Sequence, residues 1–348
     1  MSHVTVSVII PNYNDAPSLP KTLDSILSQS RLPDELLIID DGSTDNSMEI
    51  LGKYAQKHSC IRLLTNGRNR GLSFTFSRLL REARCDYIWC QSANDYLLPD
   101  SIRATTCQAE AHPELGVIWG RTELSDPEDH IWGCTEPKAV KNNEILSGKD
   151  FIQRVFAIEG PYFCETCSSL IKKEAWLSLG DFDFSYADGF IWQMLNTKYG
   201  GMYLDQPFMH FRFALKRKQL QIDSTMEQLL VLWAQFCLRL CQEPLNRIAP
   251  EEFQHAFFNQ GADLLVKQWT VNDEKRCRHK IQKLVGRFGI PSPLVTATLT
   301  AFHIIPTPQK RKEIVRQAQQ TCRHWVREAF DKAKTPVPSA LHAAIDGY

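Results

Sequence analysis

Five short apolar runs, spaced by stretches of helix length, fill the first 120 residues. That alternation restricts the fold more than any other feature of the chain. The runs are VTVSVII at 4–10, ELLII at 35–39, IRLL at 61–64, YIWC at 87–90 and VIWG at 117–120. The first is apolar and rich in β-branched residues, as expected of a strand buried on both faces. Between the first two, Leu19, Leu23, Ile26 and Leu27 recur at helical spacing behind Ser18, a candidate N-cap. Similar spacing predicts helices over about 46–58 and 72–83 and another starting near Pro99. Strands alternating with helices at this rhythm imply right-handed βαβ units and a mostly parallel sheet. Ligands of such sheets bind beyond the carboxyl ends of the strands. The informative positions are therefore 11–14, 40–45, 66–71 and 92–95. All four groups are polar, which a stable fold alone does not require.

Composition narrows the classes. The 348 residues carry 40 basic and 40 acidic side chains, a formal net charge of zero. A general nucleic-acid binder would show a basic excess, so no nucleic-acid partner is expected. No apolar run approaches 18 residues, so no membrane span is expected. The opening MSHVTVSVII lacks a basic leader region and reads as a first strand of a cytoplasmic chain. The eleven cysteines, odd in number and without framework spacing, suggest reduced thiols. Cys164 and Cys167 have CxxC spacing but no second pair to complete a zinc site. They read as small residues beside a strand, with a redox or structural pair as the alternative.

After about Leu215 the pattern changes. Met226, Leu229, Leu230, Trp233, Phe236, Cys237 and Leu240 repeat with the helical period. Further helical stretches follow near 251–269, 273–287 and 309–334. The chain therefore divides into an α/β domain, residues 1–215, and a helical module, residues 216–348. Between Lys310 and Lys334 eight basic residues face three acids, with Ile314, Ala318, Trp325 and Ala329 on one stripe. This reads as a helix packed on its own domain. The alternatives are peripheral contact with the inner membrane face and a homodimer seam.

The pair Asp40-Asp41, followed by Gly42-Ser43, admits two readings. A carboxylate at this strand end can bond a nucleotide, as in nucleotide-binding sheets, or Asp-Gly-Ser can be turn chemistry alone. Taken in order and spacing, VSVIIPNYN, LLIIDDGSTDNS, NGRNRGLS and SANDYLLP resemble the donor-binding half of glycosyltransferase family 2 over residues 4–212. The resemblance implies a GT-A, Rossmann-like, mostly parallel sheet flanked by helices, followed here by the helical module. It implies a nucleotide-sugar donor held by Pro11, Tyr13, Asp40, Asp41, Asn66, Arg68, Arg70, Gly71, Ser92 and Asn94. Tyr13 would lie against the base, uracil by analogy, and Asp41 would bond its polar edge. Asp40 and the NGRNRG loop would approach the nucleoside and diphosphate. Arg68 and Arg70 suit phosphate oxygens, or are solvated loop charges. Residues 168–200 resemble the acceptor half, and Asp188 falls on the family's catalytic base; the plain alternative is an acid favoured at a helix start.

The family pattern at 92–95 is Asp-x-Asp, holding Mg²⁺ or Mn²⁺ against the diphosphate. Here it is Ser92-Ala93-Asn94-Asp95. Hard cations prefer anionic oxygen, which leaves three readings. Asn94 and Asp95 hold a weakly bound ion with the diphosphate's help; Arg68, Arg70 or Lys216-Arg217-Lys218 replace it; or the site binds without turnover. His210 is a further candidate ligand, or a packed core residue. The expected activity is inverting sugar transfer to the hydroxyl of a glycan or lipid-linked acceptor in surface polysaccharide synthesis. The alternative is a non-catalytic nucleotide-sugar-binding partner or regulator.

Overall fold

Strand β1 (Val6–Asn12) is flanked on both sides, by β2 (Glu35–Asp40) and, across it, by the later strand Tyr87–Cys90. Strand β1 has no free edge, and six of its seven residues are buried. The computed structural model describes residues 4–126, 128–159, 165–180, 188–212 and 253. The chain divides into two compact units, Met1–Arg217 and Lys218–Tyr348. Every element below belongs to the first. Lys216-Arg217-Lys218, Cys164 and the expected helices at 226–240, 251–269, 273–287 and 309–334 lie outside the described residues, Phe253 excepted.

Helix α1 (Leu19–Leu27) links β1 to β2; α2 (Ser47–Lys57) leads to β3 (Ile61–Thr65), and α3 (Leu72–Glu82) to β4 (Tyr87–Cys90). The short strand β5 (Tyr96–Leu97) precedes α4 (Ser101–Ala111). The remaining strands are β6 (Val117–Ser125), β7 (Ile131–Cys134), β8 (Glu144–Leu146), β9 (Ser169–Lys172) and β10 (Gly201–Arg212). They form one sheet in the order β3-β2-β1-β4-β9-β6-β10-β5, with β7 on β6 and β8 on β10. The first four strands are mutually parallel. Strand β9 then runs antiparallel to both β4 and β6, while β10 is parallel to β6. Two reversals cancel, so β4, β6 and β10 point the same way. The carboxyl ends of β1, β2, β4, β6 and β10 therefore share one rim.

The core follows the two periodicities. Val6, Val8 and Ile10 present one face of β1, and Leu19, Leu23 and Ile26 recur along α1; all six are fully buried in one apolar cluster with Leu36 and Ile38. Burial of each side chain of this size is worth about 1.5–3 kcal/mol. Trp89 on β4 meets Phe208 on β10 edge to face at 6.1 Å, so the core continues across β9. Buried polar groups near the amino ends of the strands include a paired set. The Ser7 hydroxyl donates to Glu35 Oε2 at 2.6 Å, and Arg62 Nε donates to Glu35 Oε1 at 2.9 Å. Ser18 does occupy the N-cap of α1, yet its side chain makes no capping bond; Pro20 in the first turn preorganises the helix instead. The six described cysteines are thiols. Among the described residues no helix is long and apolar enough to cross a membrane.

Candidate active site

At the end of β1 and β2 the chain builds a polar turn from its own side chains. Asp40 is buried, and all of its acceptor capacity is spent locally. Its Oδ2 accepts from the amides of Gly42 and Ser43 at 3.1 and 3.0 Å, and its Oδ1 from Asn12 Nδ2 at 2.7 Å and the Ser43 hydroxyl at 2.5 Å. Asn14, at φ 55°, accepts from the Thr44 amide at 2.8 Å and so ties the β1 loop to the β2 loop. Asp41 turns the other way. Its Oδ1 accepts from Asn66 Nδ2 at 2.7 Å and the Arg70 amide at 2.9 Å, and its Oδ2 from the Gly71 amide at 2.9 Å. A carboxylate has about four lone-pair sites, so these bonds leave one site of Asp41, a side chain only 4% exposed, unused. Gly42 sits at φ +75°, and a Cβ there would lie 2.5 Å from the Arg68 backbone. The glycine lets the 66–71 loop lie directly on the turn. Around this core Tyr13 is 43% exposed, and Arg68 and Arg70 are exposed, with the Arg70 guanidinium 4.2 Å over the Phe74 ring.

The second cluster forms where β4 and β10 end. Asp95 is fully buried. Its Oδ1 accepts from the Arg212 amide at 2.9 Å, and Arg212 Nε donates to the Asn94 carbonyl at 2.7 Å. Burial pushes the Asp95 carboxyl up to about 6, against the opposing pull of the Arg212 amide, Ser92 and the Arg212 charge. The Thr22 hydroxyl on α1 lies 2.7 Å from the Asp95 carbonyl and braces the turn from the other side. His210 is buried and stacks on Tyr96 at 4.3 Å. Its Nδ1 lies 3.1 Å from Glu123 Oε2 and its Nε2 2.6 Å from the Ser125 hydroxyl. Lys21 Nζ sits 4.1 Å over the same Tyr96 ring and pairs with Asp129 at 2.5 Å.

Asp188 is the first residue of the 12-residue helix Asp188–Tyr199. That helix ends just before β10 begins. At about 1.5 Å per residue, it returns along the sheet, so its first residue lies at the rim end. Trp192 fixes it there, donating from Nε1 to the Ser169 hydroxyl at 3.0 Å and meeting Trp119 edge to face at 5.2 Å. One further acid is internal. Glu165 accepts from the Thr122 hydroxyl at 2.6 Å, and burial pushes its carboxyl up to about 7.

The family model for glycosyl transferase family 2 matches residues 7–176. This segment is a family 2 glycosyltransferase domain. The chain is 35% identical over 114 residues to a Bacillus subtilis protein named as glycosyltransferase EpsE, covering 32% of this chain and 41% of that one. It is 26% identical over 189 residues to the poly-β-1,6-N-acetyl-D-glucosamine synthase of Staphylococcus epidermidis, covering 51% and 42%. The matches thus span about two fifths of these relatives' length. Its fold is similar to that of S. aureus TarS 1-349, solved in complex with UDP-GlcNAc, at a TM-score of 0.57 and 15% identity over 94% of this chain and 92% of that one.

Within the family 2 domain the expected donor residues fall into two groups on one rim. Pro11, Tyr13, Asp40, Asp41, Asn66, Arg68, Arg70 and Gly71 surround the first cluster, and Ser92 and Asn94 the second. Asp40 does not present its carboxylate to a ligand; it holds the turn. The residues expected to bind a divalent ion do not suit one. Ser92 and Asn94 are neutral, one Asp95 oxygen is taken by the Arg212 amide, and both ring nitrogens of His210 are already partnered. Among the described residues no group of three or more His, Cys, Asp or Glu side chains is arranged to hold an ion. Arg212, Lys21 and Asp129 complete the cluster and were not foreseen. Arg212 stands two residues after His210, which was the one available signal.

Proposed function

We propose that this chain is an inverting glycosyltransferase that moves a sugar from a nucleotide-sugar donor to an acceptor hydroxyl. Four polar strand ends meeting on one rim of a family 2 domain carry this reading. The Asp188 carboxylate takes the acceptor's hydroxyl proton as that oxygen attacks the anomeric carbon. The bond from that carbon to the diphosphate breaks on the opposite face, and its electron pair leaves with the nucleoside diphosphate. The configuration inverts. Asp188 opens a helix at the rim end, which is where a base facing the donor has to stand. Tyr13 offers an exposed aromatic face to the base, and Asp41 has one acceptor site left for its polar edge. A UDP-sugar is the proposed donor, in keeping with the TarS complex. A glycan or lipid-linked glycan is the proposed acceptor, in keeping with the S. epidermidis synthase. Such chemistry would draw on the cytoplasmic pool of nucleotide sugars.

The depleted turn at Ser92–Asp95 favours a second reading, a nucleotide-sugar-binding partner without turnover. Release of UDP from a panel of UDP-sugars by the full chain separates the two. Turnover is expected, and Asp188→Asn should lower it by about 10²–10⁴-fold while leaving the thermal stabilisation by UDP intact. Stabilisation without release by the wild type would support the binding protein. No stabilisation by any nucleoside diphosphate would sink both readings.

A further inference from the structure

The donor's diphosphate brings negative charge to a turn with little to meet it. The family pattern answers with a metal ion on acidic side chains, but here Ser92 and Asn94 are neutral, both His210 nitrogens are partnered, and the one unpartnered oxygen, Asp95 Oδ2, is enclosed in a fully buried side chain. Resting on the function proposed above, we propose that Arg212, with Lys21 beside it, takes the diphosphate directly in place of a divalent cation.

Arg212 is placed for this. It ends β10 on the donor rim, and its Nε is anchored on the Asn94 carbonyl at 2.7 Å. Its guanidinium lies 5.6 Å from the Tyr96 ring centre. The side chain is only 14% exposed, so its orientation is set before a ligand arrives. A guanidinium carries five donors in a planar fork, and one is used at Asn94. Nη2 is enclosed and has no protein partner. A phosphate oxygen matches that fork and forms a charge-assisted bond with it.

The cluster already holds an anion. Asp129, on the turn between β6 and β7 at φ 66°, bonds Lys21 through Oδ2 at 2.5 Å. Its Oδ1 lies 3.9 Å from Arg212 Nε and 3.8 Å from His210 Nε2, and that oxygen also lacks a hydrogen-bond partner. One carboxylate oxygen thus stands near two nitrogens without bonding either. That is the place a phosphate oxygen would take, and Asp129 competes for it.

Isothermal titration of the full chain with UDP, in EDTA and then in Mg²⁺ or Mn²⁺, tests this, with uridine binding followed by ligand-observed NMR. UDP affinity is expected to change by less than about threefold with metal. Arg212→Gln should weaken UDP by about tenfold or more and leave uridine unaffected, which a merely misfolded variant would not do. Lys21→Met should weaken UDP in the same selective way. Asp129→Asn should tighten UDP, a gain that damage to the fold cannot imitate. UDP binding that demands metal, or Arg212→Gln acting equally on UDP and uridine or on neither, would overturn the proposal while leaving the glycosyltransferase reading standing. Failure of UDP, ADP, GDP, CDP and dTDP to bind under every condition would remove the donor reading, and this inference with it.

Discussion

A carboxylic acid deep in a protein is easier to keep protonated than charged, and Glu165 shows the consequence for stability. Burial raises its pKa from an ordinary 4.5 to about 7. A folded-state value above the unfolded one means the native protein binds the proton more tightly. The resulting stability is fully present below about pH 4.5 and is lost as pH rises through 7. Glu165→Gln keeps an oxygen for the Thr122 hydroxyl and cannot ionise. Between pH 6 and 8 its melting temperature is expected to fall less than that of the wild type, and parallel profiles would contradict this. Asp95 shifts in the same direction over a lower, overlapping window, from 3.8 to about 6, so the Glu165 contribution is read above pH 6.

At the level of elements, the Asp-Asp-Gly-Ser turn is as much a clamp as a binding site. Asp41 fastens loop 66–71 through Asn66, Arg70 and Gly71. Asp41→Ala should release it, at about 1.5–3 kcal/mol for the lost hydrogen bonds to a charged group, with the freed Arg70 and Gly71 amides exposed to water. Hydrogen exchange at the Arg70 and Gly71 amides should then speed up, while amides inside β1 keep their protection. The same turn shows how far a sequence can be read. Repeated apolar periods located β1 to β4 and α1 to α3 to within about two residues, and the polar ends of those strands marked the rim. Strands β5 and β8, of two and three residues, are too short to carry a period. The antiparallel entry of β9 depends on a pairing between distant segments that no local pattern records. For the same reason Asp40 and Asp41, adjacent and chemically alike, could not be told apart until their hydrogen-bond partners were known. Arg212 approaches Asn94 across 118 residues of chain, a contact that no spacing rule anticipates.

For the molecule as a whole, Trp89 is the side chain that joins the two halves of the sheet. It is fully buried on β4, its strand pairs with β9 at Leu170, and its ring meets Phe208 of β10. Trp89→Ala should cost about 3–5 kcal/mol, read as a lower urea midpoint with the slope of the transition retained. The unbroken ladder from β3 to β5 has a mechanical consequence. Backbone hydrogen bonds stitch the nucleotide side to the side from which an alcohol would approach, so these walls cannot swing apart like the jaws of a hinged enzyme. If the chain acts as proposed, accommodation of differently shaped sugars would fall to the segments above the sheet, and a change of specificity could arise there without disturbing the platform beneath.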